Sequence, residues 1–199
     1  MHGNMRGERI MKMTKRLTVL SVILIVIAGL FLSGCGEAQP APFEMDGEAL
    51  LYKGDIENGK GTLYLGSTKV YDGEFVNSVI QGEGKLYADG KLRYEGEFVN
   101  NTALGSGILY NSSGDKMFEG VITENNGTTY QATGYLFNED GKQTFYGDIT
   151  VTGDTVTIGG TGVLYYPSGK MFYWGNFVNG EPDGSGTYYD EDGNVLELE

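Results

Sequence analysis

The chain has 199 residues, room for one domain of ordinary size, and it contains 33 glycines, 14 tyrosines and 9 phenylalanines. Glycine at that frequency, with many rings and little proline, excludes collagen-like and disordered chains and points to glycines placed where a side chain would collide or a turn needs them. The formal charge is −13, and His2 and Cys35 are the sole histidine and cysteine. That inventory excludes Ser-His-Asp, Cys-His and zinc His/Cys sites, and the charge opposes binding to nucleic-acid phosphates.

In chain order, the first predicted element is a signal helix. Lys12, Lys15 and Arg16 precede an apolar run from Leu17 to Leu32, the basic and apolar regions of an export signal. A helix of about sixteen residues spans roughly 24 Å, short of a hydrocarbon core of about 30 Å. The run stops at Leu32-Ser33-Gly34-Cys35, which resembles the bacterial lipobox: an aliphatic residue, two small residues, then cysteine. The resemblance implies cleavage before Cys35, with Leu32, Ser33 and Gly34 read by the lipoprotein signal peptidase and the Cys35 thiol lipidated. The predicted organisation is a signal peptide over 1–34, a lipidated tether over 35–47 and an array over 48–199. Met11 and Met13 are alternative start positions. Residues 1–34 hold five of the 14 Lys+Arg and one of the 27 Asp+Glu, so residues 35–199 carry nine bases and 26 acids, a net −17.

From residue 50 a pattern recurs six times. An aromatic, any residue and glycine appear at Tyr52-Lys53-Gly54, Tyr71-Asp72-Gly73, Tyr94-Glu95-Gly96, Phe118-Glu119-Gly120, Phe145-Tyr146-Gly147 and Tyr173-Trp174-Gly175. Later in a unit come Gly-x-Gly and a turn glycine, as in Gly105-Ser106-Gly107 and Ser113-Gly114. Side chains alternate along a strand, so Tyr94, Gly96 and Phe98 share one face, as do Gly105, Gly107 and Leu109. Rings are expected to lie over bare glycines on that face. Turns at Asp89-Gly90, Ser113-Gly114, Asp140-Gly141, Ser168-Gly169 and Asp192-Gly193 close the hairpins. The prediction is an all-β, elongated, twisted antiparallel meander of about twelve strands. The units resemble MORN repeats (membrane occupation and recognition nexus), most closely the second, third and sixth. That resemblance implies a scaffold or binding surface rather than an enzyme.

The units differ in length. Gly73 to Gly84, Gly96 to Gly107 and Gly175 to Gly186 are eleven apart, but Gly120 to Gly134 is fourteen and Gly147 to Gly162 is fifteen. The segment from Ile149 to Ile158 reads as a protruding hairpin turning at Gly153-Asp154. With Asn125 to Tyr130 it is expected to form a lip rich in threonine and tyrosine, on the side where repeat arrays place insertions for binding. The candidate partner surface comprises Tyr130, Thr150, Thr152, Asp154, Thr155, Thr157 and Trp174. Trp174 is expected to face away from the rings. Asp190, Asp192 and Asn194 read as a turn, since the glycine falls in the wrong place for a calcium loop.

These features predict a non-enzymatic, lipid-anchored interaction module on the extracytoplasmic face of a bacterial membrane. Its expected partner is a protein or a glycan, with cell-wall or extracellular polysaccharide binding as the alternative. No cofactor, metal or catalytic residue is expected, and acids such as Glu74, Glu95, Glu97 and Asp148 read as a solvated face rather than a paired-carboxylate site.

Overall fold

The computed structural model describes residues 25–26, 39–45, 48–127, 129–152 and 155–197. The predicted signal helix, the lipobox residues Leu32 to Cys35 and the turn residues Gly153 and Asp154 lie outside this set, apart from Ile25 and Val26. Those two form β1 (Ile25–Val26), which pairs with Glu44 and Phe43. Among the described residues there is no helix.

The strands continue as β2 (Gln39–Met45), β3 (Glu48–Gly54), β4 (Lys60–Leu65), β5 (Thr68–Val76), β6 (Val79–Ala88), β7 (Lys91–Val99) and β8 (Thr102–Tyr110). The second half is β9 (Lys116–Asn125), β10 (Thr129–Phe137), β11 (Gln143–Thr152), β12 (Thr155–Tyr165), β13 (Met171–Val178), β14 (Glu181–Pro182), β15 (Thr187–Tyr189) and β16 (Val195–Leu196). They make one open antiparallel sheet in which each strand up to β13 pairs with the next in sequence; β13 pairs with both β14 and β15, and β15 with β16. The predicted meander is thus present, with more strands than expected. One addition comes from the stretch read as tether: β2 pairs with β3, and Phe43 is fully buried against Phe75, ring centroids 6.0 Å apart.

The alternation of rings and glycines builds a ring face. Tyr71, Tyr94, Phe118, Phe145 and Tyr173 are all buried. Each projects along its strand over a pair of facing glycines. A Cβ on Gly84 would lie 2.6 Å from Cε2 of Tyr71, and one on Gly162 would lie 2.5 Å from Cε2 of Phe145. Facing glycines form an unbroken line across the sheet: Gly54, Gly61, Gly73, Gly84, Gly96, Gly107, Gly120, Gly134, Gly147, Gly162 and Gly175. Between the large rings stand Phe75, Phe98 and Phe177, edge-on. Centroid distances are 5.4 Å for Tyr71–Phe75, 5.2 Å for Tyr71–Phe98 and 5.3 Å for Tyr173–Phe177. These edge-to-face contacts suit the ring quadrupole. The tyrosine hydroxyls donate to the carbonyl three residues on: Tyr71 to Glu74 (3.2 Å), Tyr94 to Glu97 (2.9 Å) and Tyr173 to Asn176 (3.0 Å).

Register shifts fall on both sides of the glycine line, and on the side of the short turns simple alternation fails in the same way in each unit. Leu63 faces Tyr71 while Tyr64 faces Lys69, leaving Val70 as an extra residue, and Arg93, Met117, Thr144 and Phe172 occupy the same position in later units. These are β-bulges, in which two residues oppose one and the strand bends. Val70 and Met117 are buried beside the rings that follow them. The turns follow the predicted chemistry. Gly114 and Gly169 have φ of 100° and 83° in open space, as the closing residue of such turns requires. Asp190 Oδ1 accepts the N–H groups of Asp192 and Asn194, which makes that segment a capped turn. Hydrogen bonds from Asn194, first its side chain and then its backbone, hold the Asp190 carboxyl below its usual range.

Candidate functional site

With one face committed to rings over glycines, the opposite face is free to vary, and there the two halves of the molecule part. The register places a single row across twelve strands: Lys53, Thr62, Asp72, Lys85, Glu95, Ile108, Glu119, Tyr135, Tyr146, Val163, Trp174 and Thr187. Its first half is charged and paired. Lys85 bridges to Glu95 at 2.8 Å, and Lys69 beside the row bridges to Asp72 at 3.1 Å while its Nζ stands 4.3 Å from the Tyr87 ring centroid. Hydrogen bonding to Asp72 and then to Tyr87 raises the Lys69 ammonium above its usual pKa.

Its second half is aromatic. Tyr135 and Tyr146 pack with centroids 4.6 Å apart, Tyr146 is 39% exposed, and Trp174 is 52% exposed two strands on. At about 4.8 Å between strands, Tyr135 to Trp174 spans roughly 14 Å. Threonines border it. Thr133 donates to Asp148 (2.6 Å) and Thr161 to Asn176 (2.8 Å). Burial, followed by the charges of Tyr135 and Tyr146, pushes the Tyr165 hydroxyl above its ordinary pKa, consistent with its place beside them.

The residues singled out from sequence do not form one surface. Thr150, Thr152 and Thr157 are exposed on the same face as Trp174, and Thr150 faces Thr157. Thr155 faces Thr152, and Asp154 lies outside the described residues. Tyr130 belongs to the ring face: it is opposite Val151, which is buried, and it packs partly buried against the core. Burial raises the Tyr130 hydroxyl above its ordinary pKa. The expected lip is therefore a continuation of the two-faced sheet, with Ile149, Val151 and Ile158 buried on the ring side. Sequence reading missed Tyr135 and Tyr146 as neighbours of Trp174, although all three adjoin a line glycine in the sequence, Tyr135 following Gly134 and the other two preceding Gly147 and Gly175.

The acids also have structural duties. Glu74 and Glu97 fold over Gly82 and Gly105, and their carboxylates accept the backbone N–H groups of Glu83 (3.3 Å) and Ser106 (2.5 Å). Among the described residues no group of three or more His, Cys, Asp or Glu is placed to hold a metal ion, and no helix is long and apolar enough to cross a membrane.

The pattern of rings, facing glycines and hairpin turns can be compared with known families. The MORN repeat model matches residues 71–91, 94–116 and 173–195. The chain carries three MORN repeats. They are the units with eleven-residue glycine spacing, and the longer fourth and fifth units lie between the second and third matches. MORN repeats are non-enzymatic modules that mediate interactions, often connected with membranes. No curated protein matches the chain. In the aromatic half of the outer row, Tyr135 and Tyr146 thus lie in the stretch between matched repeats and Trp174 inside the last one.

Proposed function

We propose that this protein is a lipid-anchored, non-enzymatic interaction module on the extracytoplasmic face of a bacterial membrane, held there by Cys35 and presenting the MORN sheet to a protein partner. The observation that carries this reading is Leu32-Ser33-Gly34-Cys35 at the end of a basic-then-apolar segment. Two acyl chains hold a protein stably at a bilayer where one is marginal. Anchoring through Cys35 removes any need for the sheet itself to bind lipid, which a charge of −17 over residues 35–199 opposes. Replacing Cys35 by Ala is expected to move the protein from the membrane fraction to the soluble fraction. Unchanged fractionation would refute the anchor.

A second reading is favoured by the exposed ring of Trp174 in line with Tyr146 and Tyr135. Flat aromatic surfaces bordered by hydroxyls stack on sugar rings, and here they would bind wall or extracellular polysaccharide. Trp174 is the sole tryptophan of the chain, so its fluorescence reports on that surface alone. Emission that stays constant on adding purified wall glycan would remove this reading's main support.

A further inference from the structure

Two departures from the repeat meet on the ring face. In the second unit Phe75 faces Ile80, whereas in the third Phe98 faces Ala103, so the side chain that fills this position shrinks. The next hairpin, β9–β10, is the first of the lengthened ones, and near its tip Asn125 faces Tyr130 and reaches the Ala103 carbonyl of β8. Between the two lies a groove of about 370 Å³, with Tyr71, Phe98 and Ala103 among its lining residues and Asn100, Asn101, Asn125 and Tyr130 around them. Its volume falls in the range of small-molecule pockets, about 300–1,000 Å³.

The lining is neutral: no acidic or basic side chain contributes to it, and Arg93 lines only a smaller adjoining recess. In a chain as acidic as this one, that composition is selective. Several polar groups are already fixed in place. Asn101 Oδ1 accepts the Ile80 N–H (2.8 Å), and Asn125 donates Nδ2 to the Ala103 carbonyl (3.0 Å) while its Oδ1 accepts the Gly127 N–H (2.9 Å). The Asn101 Nδ2 and the Tyr130 hydroxyl make no hydrogen bond to another described residue. The groove therefore offers two uncommitted polar groups, Asn101 Nδ2 and the Tyr130 hydroxyl, beside the apolar side chains of Leu86 and Ala103.

We infer that this groove binds a neutral saccharide unit of one or two sugar rings. A sugar presents both an apolar ring face and hydroxyls that donate and accept, which is what Leu86, Ala103 and the partly buried Tyr130 ring, flanked by amides, can satisfy. A phosphorylated or carboxylated ligand would find no cation in the groove itself, in a chain whose net charge is −13. The site is on the opposite face from Trp174, so it stands independently of the polysaccharide reading above.

The test is calorimetric titration of the full-length protein with cellobiose and with N,N′-diacetylchitobiose, with thermal unfolding measured for each variant. At least one disaccharide is expected to bind at millimolar concentration or below. Ala103→Ile, which restores the side chain of the preceding unit, is expected to weaken binding about tenfold or more by filling the groove. Tyr130→Phe keeps the ring and is expected to weaken it about fivefold with Tm unchanged. Trp174→Ala is expected to leave it intact. Absence of binding by both sugars, undiminished binding by a folded Tyr130→Phe, or undiminished binding by Ala103→Ile would overturn the inference. Loss with Trp174→Ala alone would also overturn it and assign the sugar to the opposite face. Should Ala103→Ile not fold, Tyr130→Phe decides.

Discussion

Strands β5–β8 and strands β10–β13 share a ring face and have almost nothing in common on the other. In β5–β8 the strands contain Lys69, Asp72, Glu74, Glu83, Lys85, Lys91, Arg93, Glu95 and Glu97. In β10–β13 Asp148 is the sole charged residue. On the ring face each glycine pair is covered by a ring that a Cβ would strike, so substitution there is penalised in both halves. On the other face nothing comparable constrains the side chains. An outer tyrosine such as Tyr87 lies under a lysine in the first half, while Tyr146 and Trp174 face solvent in the second. Uniformity on one face marks what the fold demands, and divergence on the other marks where selection for an interaction has room to act.

The largest effect should come from testing whether the ring face is uniform. Gly107→Ala places a methyl 2.5 Å from the Tyr94 hydroxyl and Gly162→Ala places one 2.5 Å from the Phe145 ring. Each is expected to cost about 3 kcal/mol, read as a fall in Tm. A much smaller loss at Gly162 would show the second half to be more loosely built, and the comparison would fail.

Alkaline pH should next separate the units whose covering ring is a tyrosine from those where it is a phenylalanine. Burial holds the Tyr71 and Tyr94 hydroxyls protonated above the ordinary tyrosine pKa. A group whose pKa is raised in the folded state stabilises fully below the unfolded value, about 10, and that contribution is lost as pH rises toward the folded value. Phe118 and Phe145 at the same positions have nothing to ionise. Tyr130, Tyr165 and Tyr173 of the second half are also held above the ordinary value by burial, so amide exchange above pH 10 is expected to rise earlier beside Tyr71 and Tyr94 than beside Phe118 and Phe145, relative to a neutral-pH control. Equal loss of protection at the Tyr94 and Phe145 positions would contradict this.

On the outer face the effects should be small. Lys85→Met removes a solvent-exposed ion pair with Glu95 and is expected to leave Tm essentially unchanged, in low salt and high salt alike. Trp174→Ala should change stability by about 0.5 kcal/mol or less. Its effect should appear in partner capture from intact cells instead, where Lys85→Met has none. A shift in Tm of several degrees for Trp174→Ala would mean the exposed ring is structural after all.

Much of the fold was legible because strand periodicity is two and the motif repeats. Tyr94, Gly96 and Phe98 could be assigned to one face from their spacing, and Trp174 to the other. What escaped were the places where period two breaks. The bulged residues Val70 and Met117 lie on the ring side directly before a ring-side aromatic, and an extra residue leaves no mark in a pattern that is itself variable at that position. The same limit misplaced Tyr130. Grouping it with Thr150 and Thr157 required a register that the lengthened hairpin left open, and one residue of slip moves a side chain to the opposite face. The β2 strand was hidden by composition, since Gln39-Pro40-Ala41-Pro42 reads as a linker until Phe43 is seen buried against Phe75. The groove was not legible, because it depends on one small residue, Ala103, adjoining one long hairpin.

The line of facing glycines also acts as a crease. Along it the sheet has backbone and no Cβ from Gly54 to Gly175, so resistance to folding the two long margins toward each other comes from the rings stacked over it. A gutter of this kind is stiff along its length and yields across its width. A partner gripping both margins would therefore feel a clasp rather than a plate, and adding or deleting a whole hairpin would lengthen or shorten the clasp without changing its cross-section.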